Sequence, residues 1–159
     1  MALMLLLGAL ALAIGGYLHA TRPGKRSTSL PLPVGSWGAP ANNDPRVATA
    51  AMMYLVATED AAVTPGKMDQ MVALLSATVG MTPEEALICL NSGKHLSRRL
   101  DGSLNSRLHQ LRGAIERSCS QQEKEDVVAM LRTVAGKSAE RVPSIREALG
   151  RIAGSLLHG

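Results

Sequence analysis

A chain of 159 residues with no phenylalanine, one tryptophan and two tyrosines must build its core from Leu, Val, Ile, Met and Ala, which suits packed helices better than sheets. Its two cysteines, Cys89 and Cys119, exclude a dense disulfide framework; each lies in an apolar helical pattern and reads as a buried free thiol in a reducing compartment. The formal net charge of +4 is modest and polarised, with residues 44–91 net acidic and residues 92–118 net basic.

The first predicted element is a transmembrane helix over residues 1–20. Met1–Leu18 carries no charged side chain. About 18 residues in a helix reach roughly 27 Å, close to the thickness of the hydrocarbon layer. Tyr17 stands at the end, where an aromatic ring suits the headgroup level. A cleaved signal peptide would need a positive amino-terminal region, but here the positive cluster Arg22, Lys25 and Arg26 follows the apolar run. That asymmetry predicts an uncleaved single-pass anchor with its amino terminus outside and the rest of the chain in the cytoplasm. A bacterial inner membrane is the expected location. Gly8, Ala11 and Gly15 share one helix face, and small residues there let another membrane helix approach closely. The cluster Arg22, Lys25 and Arg26 is placed to contact anionic headgroups.

Residues 21–43 follow as a linker. Pro23, Pro31, Pro33 and Pro40, with Gly24, Gly35 and Gly38, exclude a regular helix and favour an extended, semi-rigid spacer. Trp37 lies here and is a candidate anchor on the membrane interface, on the chain's own domain or on a partner.

Residues 44–159 read as a bundle of six helices with short connections. Asp44-Pro45 combines an N-cap with a proline at the first helical position, and Val47, Ala51, Tyr54, Leu55 and Val56 give a core face to a helix ending near Asp60. Thr64-Pro65 repeats the signal for Met68, Met71, Val72, Leu75 and Val79, with Gly80 as terminator. Thr82-Pro83-Glu84-Glu85 is a capping box ahead of Ala86, Leu87, Leu90 and Leu96. After the Asp101-Gly102 turn, Leu104, Leu108, Leu111, Ile115 and Cys119 form a stripe. A second capping box, Ser120 to Glu123, opens the helix of Val127, Val128, Met130, Leu131 and Val134. Gly136–Val142 reads as a loop, and Pro143 opens the last helix through Ile145, Leu149, Ile152 and Leu156.

The segment Val56-Ala57-Thr58-Glu59-Asp60-Ala61-Ala62-Val63-Thr64 resembles the TerB-like (tellurite-resistance) family. Those domains carry an apolar-Ala-x-x-Asp-Gly-x-Ile/Val-Ser/Thr-x-x-Glu pattern at the end of a helix, repeated once near the C-terminus. Asp60, Val63 and Thr64 match, whereas Ala61 replaces the glycine and Lys67 stands at the glutamate position. In the second copy Met130-Leu131 and Val134-Ala135 fit, but Ala139 stands at the aspartate position and Arg146 at the glutamate position. The resemblance spans roughly residues 45–157 and implies an all-α domain with internal pseudo-symmetry. It also implies divalent-metal binding by acids at the two turns, for which only Glu59 and Asp60 remain as weak candidates. Two carboxylates beside Lys67 and Arg146 make a poor oxygen-rich site, and helix capping and solvation explain them better.

No catalytic constellation is present. His19, His95, His109 and His158 are scattered. Gly93-Lys94 lacks the earlier glycine and the following Ser/Thr of a phosphate loop, and no His-Pro-Asp tripeptide marks a J domain. The basic region of Lys94, Arg98, Arg99, Arg107, Arg112 and Arg117 has no aromatic residue for base stacking, so anionic lipid or a protein partner is expected before nucleic acid, with Arg98 and Arg99 as contacts. No cofactor is expected. The sequence thus points to a membrane-anchored, non-enzymatic interaction module, an accessory or assembly subunit of an integral membrane complex. The alternative is a membrane-surface sensor in metal or oxyanion stress.

Overall fold

The computed structural model describes residues 44–158. The expected membrane helix with Gly8, Ala11, Gly15 and Tyr17, and the linker with Arg22, Lys25, Arg26 and Trp37, lie outside the described residues. The described residues form seven helices and no strand: α1 Pro45–Thr58, α2 Pro65–Val79, α3 Pro83–Ser97, α4 Leu104–Ser118, α5 Gln121–Ala135, α6 Ser138–Arg141 and α7 Pro143–His158. Among them no single helix is long and apolar enough to cross a membrane; α2 and α3 reach that length and composition together but meet at 114°.

Local polar chemistry sets where the helices start. The first N–H groups of a helix have no intrahelical acceptor, and a short side chain at the N-cap supplies one. Asp44, Thr64, Thr82, Ser103 and Ser120 each accept a backbone N–H two or three residues on. Both predicted capping boxes are complete: Glu85 accepts from the Thr82 N–H at 2.8 Å and Glu123 from the Ser120 N–H at 2.7 Å. Gly80 ends α2 in the left-handed region at φ 77°, and its N–H reaches the Ser76 carbonyl. At Asp44, burial raises the carboxyl pKa, but hydrogen bonds from Arg46 and Val47 and the Arg46 charge outweigh it and hold the group below its ordinary value. The folded pKa is depressed, so this cap adds stability above the unfolded pKa and loses it as the pH falls through the folded one.

The central element is α1. Every residue from Val47 to Met53 is buried, and Leu55 and Val56 extend the buried run. An amphipathic helix with one core face was expected; α1 is instead enclosed by α3, α4 and α5, with α2 adding a smaller contact. Its alanines make this possible, because Ala48, Ala50 and Ala51 allow neighbouring backbones to come close. Thr49, the one polar residue within the buried run, returns its hydroxyl to the Pro45 carbonyl at 2.8 Å, so no buried donor is left without an acceptor there. The closest approach is to Gly93 of α3, where a Cβ would stand 2.6 Å from the Ala51 nitrogen. Around this axis α7 packs on α4 and α5, and α2 on α3 and α5.

Three expectations need correction. The loop over Gly136–Val142 contains the one-turn helix α6, because four residues without apolar periodicity leave no helical signature. The bundle therefore has seven helices in place of six. Leu87 is not core but 44 % exposed, since α3 buries Ala86, Leu90, Gly93 and Ser97, and Leu87 lies about 100° around the helix from Ala86. Cys119 does not continue the α4 stripe; it is the extended C-cap residue and is only partly buried.

Burial, with the nearby Asp44 charge and against the smaller opposing effect of Arg46, pushes the Cys89 thiol up to about 12. Burial and the Glu123 charge also raise the Cys119 thiol. Ellman's reagent at pH 8 is therefore expected to titrate Cys119 slowly in the folded chain and Cys89 only after denaturation. A rapid reaction of both thiols in the native protein contradicts this burial.

Candidate functional site

The motif positions of the resemblance lie at two turns, one after α1 and one after α5. Glu59 and Asp60 leave α1 as it ends. Glu59 accepts from the Arg107 guanidinium of α4 and from the Ser144 hydroxyl of α7, each at 3.2 Å and one on each carboxylate oxygen. Asp60 accepts on one oxygen from the Ser138 hydroxyl at 2.7 Å and the Arg141 guanidinium at 3.2 Å, both of α6. The α6 turn, read as a loop in sequence, thus supplies two donors to the first turn.

Lys67 completes the junction from the other side. Its ammonium donates to the Val134 carbonyl in the last turn of α5 at 2.7 Å and to Gln70 Oε1 at 3.1 Å. Arg146, the other basic residue at a family glutamate position, donates its backbone N–H to the Val142 carbonyl in the first turn of α7.

These contacts decide whether the turns fit a divalent ion. A hard cation needs several oxygen ligands with excess negative charge. Here both carboxylates are already directed at guanidinium groups, and a lysine ammonium binds one of the neighbouring carbonyls. Among the described residues, no three side chains of His, Cys, Asp and Glu gather in one place. The donor set does not fit a metal, and Glu59 and Asp60 work as the acidic halves of two cross-links.

Beside Glu59 and Arg107 opens a cleft of about 480 Å³ between the starts of α4 and α7, reached also by Ser103, Asn105, Glu147 and Arg151. It is lined by charges of both signs, and Glu147 and Arg151 pair across one turn at 2.6 Å. The Arg107 Nε is buried and without a hydrogen-bond partner among the described residues, a local cost of holding that side chain against Glu59.

The basic region does not form one continuous stripe. Arg107 is committed to Glu59; Arg112 pairs with Glu116 at 3.0 Å and with the Ser155 hydroxyl. Lys94 lies over the Tyr54 ring, 5.9 Å from its centre. Arg98 and Arg99 stand exposed where α3 ends. Sequence reading missed the roles of Ser138, Arg141 and Ser144, which lie 78 to 85 residues from the acids they serve. No local pattern reports a pairing at that separation.

Among known proteins, the family model described as tellurite resistance protein TerB matches residues 46–153. No curated protein and no solved structure matches the chain. The matched span runs from the first turn of α1 into α7 and includes both turns and every helix that forms the core, so the chain belongs to the TerB family.

Proposed function

We propose that the chain is a membrane-anchored, non-enzymatic interaction module that serves as an accessory or assembly subunit of an integral membrane complex. The observation that carries this reading is the union, in one chain, of a TerB domain with a charge-free apolar run at Met1–Leu18, a following basic cluster and a proline-rich spacer. In this reading Gly8, Ala11 and Gly15 pack against a partner membrane helix, and Tyr17 and Trp37 mark the interface. Arg22, Lys25 and Arg26, with Arg98 and Arg99, meet anionic headgroups or an acidic partner surface. The domain lies on the cytoplasmic side. Glu59 and Asp60, the two acids of the turn after α1, are occupied by arginines and serines, which favours a scaffold over a centre of reaction.

Purification through a tag on the chain, from membranes solubilised in mild detergent, is expected to recover integral membrane partners in fixed stoichiometry. Substituting leucine for Gly8, Ala11 and Gly15 together is expected to reduce that recovery at least tenfold without releasing the chain from the membrane. Recovery of the chain alone across several detergents, or its presence in the soluble fraction, contradicts the proposal. A second reading, a sensor in tellurite-type stress, draws support from the family description alone.

A further inference from the structure

Lys67 occupies the third position of α2, where α3 and α5 each carry a glutamate that closes a capping box. A cation in the first turn of a helix opposes the helix dipole, and no carboxylate there returns to the Thr64 N–H. Lys67 eases that conflict by extending its ammonium past Gln70 of its own helix to a second helix. Its ammonium crosses to the Val134 carbonyl, 67 residues away, at the C-terminal end of α5. There the dipole favours a positive charge, and carbonyls beyond the last intrahelical N–H need donors.

The reverse connection is made by α6, whose Arg141 and Ser138 reach back to Asp60. The two turns are therefore joined by links of opposite direction, one cation sent from the first turn to the second and one from the second to the first. A divalent ion at this junction would have to displace Arg141 from Asp60 and Arg107 from Glu59. It would also sit among the cationic side chains of Lys67, Arg107 and Arg141.

We infer that Lys67 and Arg141 act as resident cations that replace a bound metal, so that the two turns of this domain are closed permanently and the module does not respond to divalent ions. The inference is independent of the membrane anchor and of any partner. It makes the domain constitutive, where a metal-closed relative would be conditional.

The test is thermal unfolding of the full chain in detergent, followed by circular dichroism at 222 nm, in chelator and then with magnesium, calcium, manganese or zinc added alone. The wild-type curves are expected to superimpose in all conditions. Lys67→Met is expected to unfold several degrees lower and to remain indifferent to every ion. The double change Lys67→Glu with Arg141→Ser, which restores an acid and releases Asp60, is expected to be less stable in chelator and to regain stability with at least one ion. Calorimetric titration of that ion should then show binding. A wild-type Tm that rises with an ion and no longer does so in Asp60→Asn overturns the inference. So does a Lys67→Met chain as stable as the wild type, or a folded double variant that no ion stabilises. Should the double variant not fold, the wild-type and Lys67→Met curves still decide the matter.

Discussion

Gly93→Ala is expected to destabilise the domain by about 3 kcal/mol, near the upper end of what overpacking a core usually costs. The methyl group would meet the Ala51 nitrogen at 2.6 Å, the Ala50 carbonyl carbon at 2.7 Å and the Ala50 Cβ at 2.9 Å. Two of these atoms are backbone of α1, so no rotamer change relieves the contact, and α1 and α3 must move apart along a buried crossing. Alanine is the better helix former by about 1 kcal/mol, a gain too small to reverse the sign. Gly150→Ala and Gly154→Ala in α7 provide the comparison, because a Cβ at either position meets nothing within 4 Å. They are expected to stabilise by about 0.4–1 kcal/mol. Urea unfolding measures all three on one scale, and a Gly93→Ala midpoint at or above the wild-type value would refute the close crossing.

Met52→Ala is expected to cost about 2–5 kcal/mol, the range for removing a large buried side chain and leaving a cavity. Met52 has no exposed surface and lies in the middle of α1, which is held on several sides, so the surrounding helices have little freedom to collapse into the space. Leu87→Ala removes a side chain of similar size from α3, yet with 44 % of its surface exposed it is expected to stay within about 1 kcal/mol of the wild type. Equal losses at the two positions, read from urea midpoints at constant m, would contradict the placement of α1 at the centre.

The contrast between these residues shows what the sequence made legible. Helix starts were readable because each depends on neighbours in the chain: Asp44 or Thr64 beside a proline, Thr82 with Glu85, Ser120 with Glu123. The family resemblance was readable from Asp60, Val63 and Thr64, and the loss of the metal-type acids from Lys67 and Arg146. The centrality of α1 was not. Ala48, Thr49 and Ala50 are small and carry little hydrophobic contrast, so the pattern reports the side where Val47, Ala51 and Leu55 lie and is silent about the opposite side. Leu87 misled for the converse reason, because an apolar residue next to a core position is counted by composition and separated only by its angle on the helix. The partners of Glu59 and Asp60 were hidden by distance along the chain. Arg107 belongs to a basic region in the sequence, but only the fold shows that it neutralises Glu59.

The Tyr54–Lys94 contact has a spectroscopic consequence. Tyr54 is the only aromatic side chain among residues 44–158, while the sequence's single indole belongs to Trp37, ahead of the domain. Phenol and indole absorb and emit at separable wavelengths, and Tyr17 is the sequence's one other phenol, so a Tyr17→Phe chain carries two intrinsic optical reporters with no label attached. In that chain tyrosine emission follows the α1–α3 crossing, where the ring lies beneath an ammonium group, and tryptophan emission follows the segment ahead of the domain. Unfolding of the bundle and a change of environment at Trp37 can therefore be followed separately in one cuvette.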